Sequence, residues 1–254
     1  MSDATTMVRR NFRHTLRNPS AVIMTIALPV VLLLLFVGVF GGALTMGLGP
    51  ASRGRDYIDY LVAGILLMTV GYGASTTAMA VNRDMTAGII ARFRTMAISR
   101  ASVLTGHVVG STVRTLVSAV LVVGVALLLG FRPAGDPLRW LGAFGLLALL
   151  TLALTWLGVA VGLAAKTAEG TAPFTFVTQL LPFLSSAFVS PEAMSGAVRW
   201  FAAHEPFTPI IDALRGLLLG TPVAGHGVVA VGWCVGLAVA GYLWARALFR
   251  RDPS

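Results

Sequence analysis

Six apolar stretches, each long enough to cross a bilayer, occupy most of this sequence and decide its fold class before any motif is considered. They run over residues 21–42, 57–81, 103–130, 138–165, 171–189 and 226–248. A crossing needs about 20 apolar residues at ~1.5 Å rise each. The pattern predicts an all-α integral membrane protein with six transmembrane helices. Only 11% of the 254 residues are charged, against about 25% in a soluble domain, and the mean hydropathy is +0.83. Six spans leave short connections, so residues 1–254 read as a single transmembrane domain. The one cysteine, Cys234, falls in the last span. It excludes an internal disulfide and a cysteine zinc cluster and reads as a small packing residue.

The net charge of +9 would suit nucleic acid, but its distribution points to a membrane surface instead. With both termini placed in the cytoplasm, the inner segments hold Arg9, Arg10, Arg13, Arg17, Arg83, Arg92, Arg94, Arg100, Lys166, Arg246, Arg250 and Arg251. The outer segments hold Arg53, Arg55, Arg132, Arg139, Arg199 and Arg215. Lys and Arg are retained on the cytoplasmic side, so twelve against six sets the orientation, and the inner set can meet anionic lipid headgroups. Eighteen of the nineteen basic residues are arginine, which suits a GC-rich bacterial genome and a location in the bacterial plasma membrane. The first apolar run is too long for a signal peptide.

Three connecting segments are more than loops. Within residues 1–18, Val8, Phe12 and Leu16 recur every four positions and Arg9, Arg13 and Arg17 follow one position on. Helical geometry gathers each set into a stripe, predicting an amphipathic helix lying in the membrane surface. The inner segment 84–98 carries a second such helix. Thr86 is placed to cap it, Ile89, Ile90, Phe93 and Met96 form its apolar face, and Arg92 and Arg94 flank that face. A hydrophobic knob with a basic rim suits a groove on a partner; a surface helix on lipid is the plainer alternative. The outer segment 190–222 predicts two short helices, Met194–His204 and Thr208–Leu219, separated by Pro206 and Pro209. Two helices of half the bilayer thickness form either a re-entrant pair or an interfacial cap.

Several chemistries are missing. Lys166-Thr167 lacks the preceding glycine of a P-loop, because Ala165 stands there. His14, His107, His204 and His226 show no metal-ligand spacing. No carboxylate lies deep in a span, whereas ion-coupled carriers place their relay groups there. The charged exception is Arg114, in the inner half of the third span, either snorkelling to headgroups or serving as a gating charge. Glu205, Asp212 and Arg215 are the other candidate gating charges. A candidate translocation path uses Met68, Tyr72, Ser75 and Met79 on one face of the second span, with Thr175, Thr178, Gln179 and Pro182 on the fifth. Met and Tyr adapt to varied apolar ligands; packing in the protomer interior is the alternative for both faces. The pairs Gly106/Gly110, Gly158/Gly162 and Gly232/Gly236 share the spacing of close helix contacts, but 28 glycines make any one pair a weak signal.

Three ordered segments resemble bacterial type-2 ABC exporter permeases of the daunorubicin-resistance type. They are RNPSAVIMTIALPVVLLLLFVGVFGG (Arg17–Gly42), GIIARFRTMAISR (Gly88–Arg100) and FLSSAFVSPEAMSGAVRWFAAHEPFTPIIDALRGL (Phe183–Leu217). Ala97 stands where the family has proline, and Ser195 stands where proline follows Met194. The resemblance implies a non-enzymatic, homodimeric subunit that binds two copies of a separate ATP-binding subunit. It also implies that ATP and Mg are held in that partner, with no cofactor in this chain. Gly88, Ile89, Ile90, Arg92, Phe93, Arg94 and Met96 would form the coupling helix received by the ATPase. The expected cargo is an amphipathic small molecule: a drug, an antibiotic or a lipid-like compound. Export of a lipid-linked glycan, and a non-transport immunity or sensor role beside a partner ATPase, are the competing readings.

Overall fold

The computed structural model describes residues 19–40, 57–86 and 100–251. Among them every regular element is helical. The order is α1 (Pro19–Leu35, continued by a π-helical turn Phe36–Phe40), α2 (Tyr57–Thr86), α3 (Arg100–Leu128), α4 (Pro137–Ala164), a 3₁₀ turn Glu169–Thr171, α5 (Ala172–Leu180), a second 3₁₀ turn Leu181–Leu184, a third 3₁₀ turn Pro191–Ala193, α6 (Gly196–His204), α7 (Phe207–Leu219) and α8 (Ala224–Arg251). Four of these, α2, α3, α4 and α8, are long and apolar enough to cross a membrane. The interfacial helix expected within 1–18, the first outer loop and the coupling residues Gly88–Met96 lie outside the described residues.

The bundle is built around α2. Leu61, Val62, Ile65, Leu66 and Val70 are at most 1% exposed, and α1, α3, α4, α5 and α7 all pack on this helix. Lipid tails are as apolar as leucine, so contact between membrane helices relies on close backbone approach at small residues. A Cβ added to Gly158 would lie 2.5 Å from the Ala74 carbonyl oxygen, and one added to Gly162 would lie 2.5 Å from that of Ala78. These two glycines let α4 lie directly against α2. In the first half of α2, Gly64 does the same for Ala187, at 2.6 Å between Cβ positions. By contrast, a Cβ at Gly232 or Gly236 on α8 meets nothing within 4 Å. That helix is peripheral: Val228 is 80% exposed, and α8 meets α4 at Gly241 and through an edge-to-face pair, Trp156–Tyr242, at 5.1 Å.

Element ends follow local chemistry. Asp136 caps α4 by accepting from the Arg139 N–H at 2.8 Å, and Pro137 occupies the first helical position, where no N–H is needed. Gly220 ends α7 in the left-handed region, φ +70°. Pro209 sits in the first turn of α7, where proline costs little, so the break between α6 and α7 is at Glu205-Pro206.

One expectation is corrected. The fifth apolar stretch is not one continuous helix. α5 stops at Leu180 after nine residues and gives way to 3₁₀ backbone at Leu181–Leu184, because Pro182 has no N–H to continue the ladder. Thr86 is the last residue of α2, its hydroxyl donating to the carbonyls of Asn82 (3.1 Å) and Arg83 (3.2 Å); the helix expected to follow it lies outside the described residues.

Candidate functional site

At the end of the bundle where α2 begins, the residues after the Leu181–Leu184 turn are clipped to α7 and α2 by a single arginine. The Arg215 guanidinium donates to Asp212 Oδ1 at 2.8 Å, to the Ser186 carbonyl at 2.7 Å and to the Tyr60 carbonyl at 3.2 Å. Its carbon lies 3.7 Å from the centre of the Tyr60 ring. A planar fork with five donors can make all these contacts at once, which an ammonium cannot. Ser186 completes the knot: its hydroxyl donates to Asp212 Oδ1 at 2.8 Å, and its N–H donates to Thr208 Oγ1 at 3.2 Å. The Tyr57 hydroxyl donates to the Phe188 carbonyl at 3.2 Å, and the Phe188 ring stacks on those of Phe36 and Phe183, each at 4.6 Å, in a three-ring cluster.

Glu205 belongs to the same end. Its two oxygens accept from the N–H groups of Phe207 (2.7 Å) and Thr208 (2.5 Å), capping the first turn of α7. Burial pushes this carboxyl above the ordinary range, against the pull of those two bonds. The structure thus brings Glu205, Asp212 and Arg215 into one neighbourhood and gives each a positioning role. Arg114 is elsewhere.

The two path faces meet. Ser75 Oγ and Thr178 Oγ1 are 3.0 Å apart, and Gly71 abuts the Thr178 carbonyl. Met68, Ser75, Thr178 and Pro182 are buried in this contact, whereas Tyr72, Met79, Thr175 and Gln179 are half-buried. On the opposite flank of α2, Gly73 receives Thr115 of α3, and the hydroxyls of Thr77 and Ser111 are hydrogen-bonded. Arg114 donates to Thr76 Oγ1 at 3.1 Å and to Ser111 Oγ at 3.5 Å.

The end of α2, the start of α3 and the end of α4 are tied by residues that sequence reasoning missed. His107 Nε2 and Asp84 Oδ2 are 3.0 Å apart. Asn82 Nδ2 donates to the Ala165 carbonyl at 2.6 Å, satisfying a helix-end acceptor on α4. At the opposite end, Asp59 Oδ1 accepts from the Arg132 N–H at 3.1 Å, while Ala134 and Gly135 N–H groups both reach the Leu218 carbonyl at 3.2 Å. An isolated Asn or Asp at a span boundary is the signal that marks such ties.

The sequence profile of ABC-2 type transporters matches residues 3–219. The chain belongs to that family. It is 29% identical over 225 residues to a daunorubicin resistance ABC transporter permease protein, DrrB1, of Streptomyces coeruleorubidus, covering 88% of this chain and 76% of the relative. It is 26% identical over 167 residues to a probable doxorubicin resistance ABC transporter permease protein, DrrC, of Mycobacterium tuberculosis, covering 66% of this chain and 60% of that relative. The chain is therefore a membrane permease subunit of an ABC transporter, and its helices are those of an integral protein of the bacterial membrane.

Proposed function

We propose that this permease exports amphipathic compounds, such as drugs, antibiotics or lipid-like molecules, with energy from ATP hydrolysed in a separate subunit. The observation that carries the reading is the family match across residues 3–219 together with relatives named for daunorubicin and doxorubicin resistance. In this reading the chain crosses the plasma membrane six times with both termini in the cytoplasm. It pairs with a second copy and engages two ATP-binding subunits, which hold ATP and Mg. Gly88–Met96 acts as the coupling helix, with Phe93 as its apolar knob. The α6–α7 pair within 190–222 faces outward as a re-entrant or capping element. The cargo moves between protomers along the Tyr72, Met79, Thr175 and Gln179 side of the α2–α5 contact. Glu205, Asp212, Arg215 and Arg114 bias the opening.

The test is ATP-dependent uptake of doxorubicin into everted membrane vesicles containing the permease and its ATPase. Uptake above that of vesicles carrying the ATPase alone supports export; equal uptake across a panel of amphipathic drugs refutes it. Labelling of single-cysteine variants tests the topology. Labelling of intact cells at Ser195 but not at Ser254 is expected, and the reverse pattern would overturn the orientation.

A further inference from the structure

The burial of α2 changes along its length. From Leu61 to Gly71 every side is covered, but from Tyr72 onward one stripe opens: Tyr72, Thr76, Met79 and Ala80 are half-buried and Arg83 is exposed. These positions follow helical spacing and mark one face about 16 Å long (11 residues at ~1.5 Å). The helices around that face include α1, which packs on both α2 and α3. α3 covers the flank of Gly73 and Thr77, α4 covers Ala74 and Ala78, and α5 covers Gly71 and Ser75. The stripe is therefore the floor of a groove between α3 and α5 in the inner half of the bundle.

Both walls present donors. From the α3 side, Arg114 reaches the floor at Thr76, and its Nε is buried without a hydrogen-bond partner. On α5, Phe174 faces Gly158 of α4, so Thr175 and Gln179 turn to the other flank of Thr178, beside the stripe. Gln179 Nε2 is likewise buried without a partner. No carboxylate among the described residues pairs with Arg114. Its guanidinium is charged at any working pH, and it lies nine residues, ~14 Å, inside the start of the apolar part of α3 at Thr105. A charge at that depth faces a cavity or a partner group. Two unpaired donors and an uncompensated cation favour an acceptor-rich, negative partner; an ammonium would meet like charge at Arg114.

We infer that this groove binds the anionic polar group of an amphipathic molecule, such as a sulfonate, phosphate or carboxylate, with Arg114 as its specificity residue and the Tyr72–Met79 stripe under the apolar part. The inference rests on the export reading for its physiological meaning but not for its test. Binding is measured by fluorescence on the permease–ATPase complex in nanodiscs, with empty-nanodisc subtraction. The probes are 1-anilinonaphthalene-8-sulfonate and its neutral analogue N-phenyl-1-naphthylamine. Arg114→Gln is expected to weaken the sulfonate about tenfold or more and to leave the neutral probe within about twofold. Arg114→Lys, which keeps the charge, should retain part of the preference, and Thr76→Val, which removes the hydroxyl holding the guanidinium, should lower it. Equal weakening of both probes in all three variants, or no sulfonate preference in the unmodified complex, overturns the site. Absence of ATP-dependent uptake of both 1-anilinonaphthalene-8-sulfonate and doxorubicin in vesicles, with the sulfonate preference intact, would instead count against export and leave the site standing.

Discussion

Gly158→Ala/Gly162→Ala and Gly232→Ala/Gly236→Ala make the same chemical change at the same spacing, yet the structure assigns them opposite outcomes. In the first pair each new methyl lies 2.5 Å from a carbonyl oxygen of α2 and must retreat to 3.4 Å for ordinary contact, a displacement of about 0.9 Å. Carbonyl groups of a central helix cannot rotate away as side chains do, so α4 must move off α2. Overpacking of this kind costs about 1–3 kcal/mol. One separation relieves both contacts, so the two substitutions are not additive, and replacing glycine in a helix returns up to about 1 kcal/mol. That gain, counted once for each glycine, is the same in both pairs, so the first pair should lie about 1–3 kcal/mol below the second, a gap of about 2–12 °C in Tm for a chain of this size. In the second pair the methyls enter open space, only the propensity gain remains, and Tm should hold or rise slightly. Thermal unfolding of the purified permease, followed by tryptophan fluorescence and by size-exclusion profile, compares the two double variants directly. Equal Tm values would refute the argument that α4 touches the α2 backbone at these glycines.

Other expectations follow from the outer knot and the inner loop. Arg215→Lys keeps the charge but loses the fork that reaches Ser186, Tyr60 and Asp212 together; a loss of about 2–3 kcal/mol should appear as lower Tm and lower yield. Glu205→Gln leaves one acceptor oxygen for two N–H donors at the start of α7, which should cost about 1–2 kcal/mol, read as earlier proteolysis between α6 and α7. Phe93→Asp should abolish co-purification with the ATPase while leaving the Tm of the isolated permease unchanged; undiminished co-purification would remove Phe93 from the coupling surface.

The long helices were legible because hydropathy reports which segments leave water, and it places the ends of α3, α4 and α8 within a few residues. It does not report backbone hydrogen bonding, so the apolar run through Pro182 read as one span although its helix ends at Leu180. Spacing showed that Gly158/Gly162 and Gly232/Gly236 were equivalent in sequence; which pair meets a neighbour is a property of the assembled bundle. Of the path face on α2, Tyr72 and Met79 lie on the half-buried stripe with Thr76, whereas Met68 and Ser75 are buried, Ser75 against Thr178 of α5. Periodicity sorts residues onto faces, but only tertiary packing decides which face stays uncovered. The Arg215 knot joins carbonyls 29 and 155 positions away, beyond any local pattern.

The turn between α3 and α4 is fastened by its main chain. Arg132 reaches Asp59, and Ala134 and Gly135 reach Leu218, all through backbone N–H groups. Such ties do not depend on which side chains the turn carries, so it is open to evolutionary drift. Permeases adapting to new compounds can rewrite positions 132 and 134 without unfastening this end of the bundle. Two sites bar that freedom. A side chain at Gly135 would run into the Leu217 carbonyl, and one at Gly220 would meet the Ala134 carbonyl from a left-handed backbone. Divergence here should therefore spare those two glycines while the residues between the fastenings change.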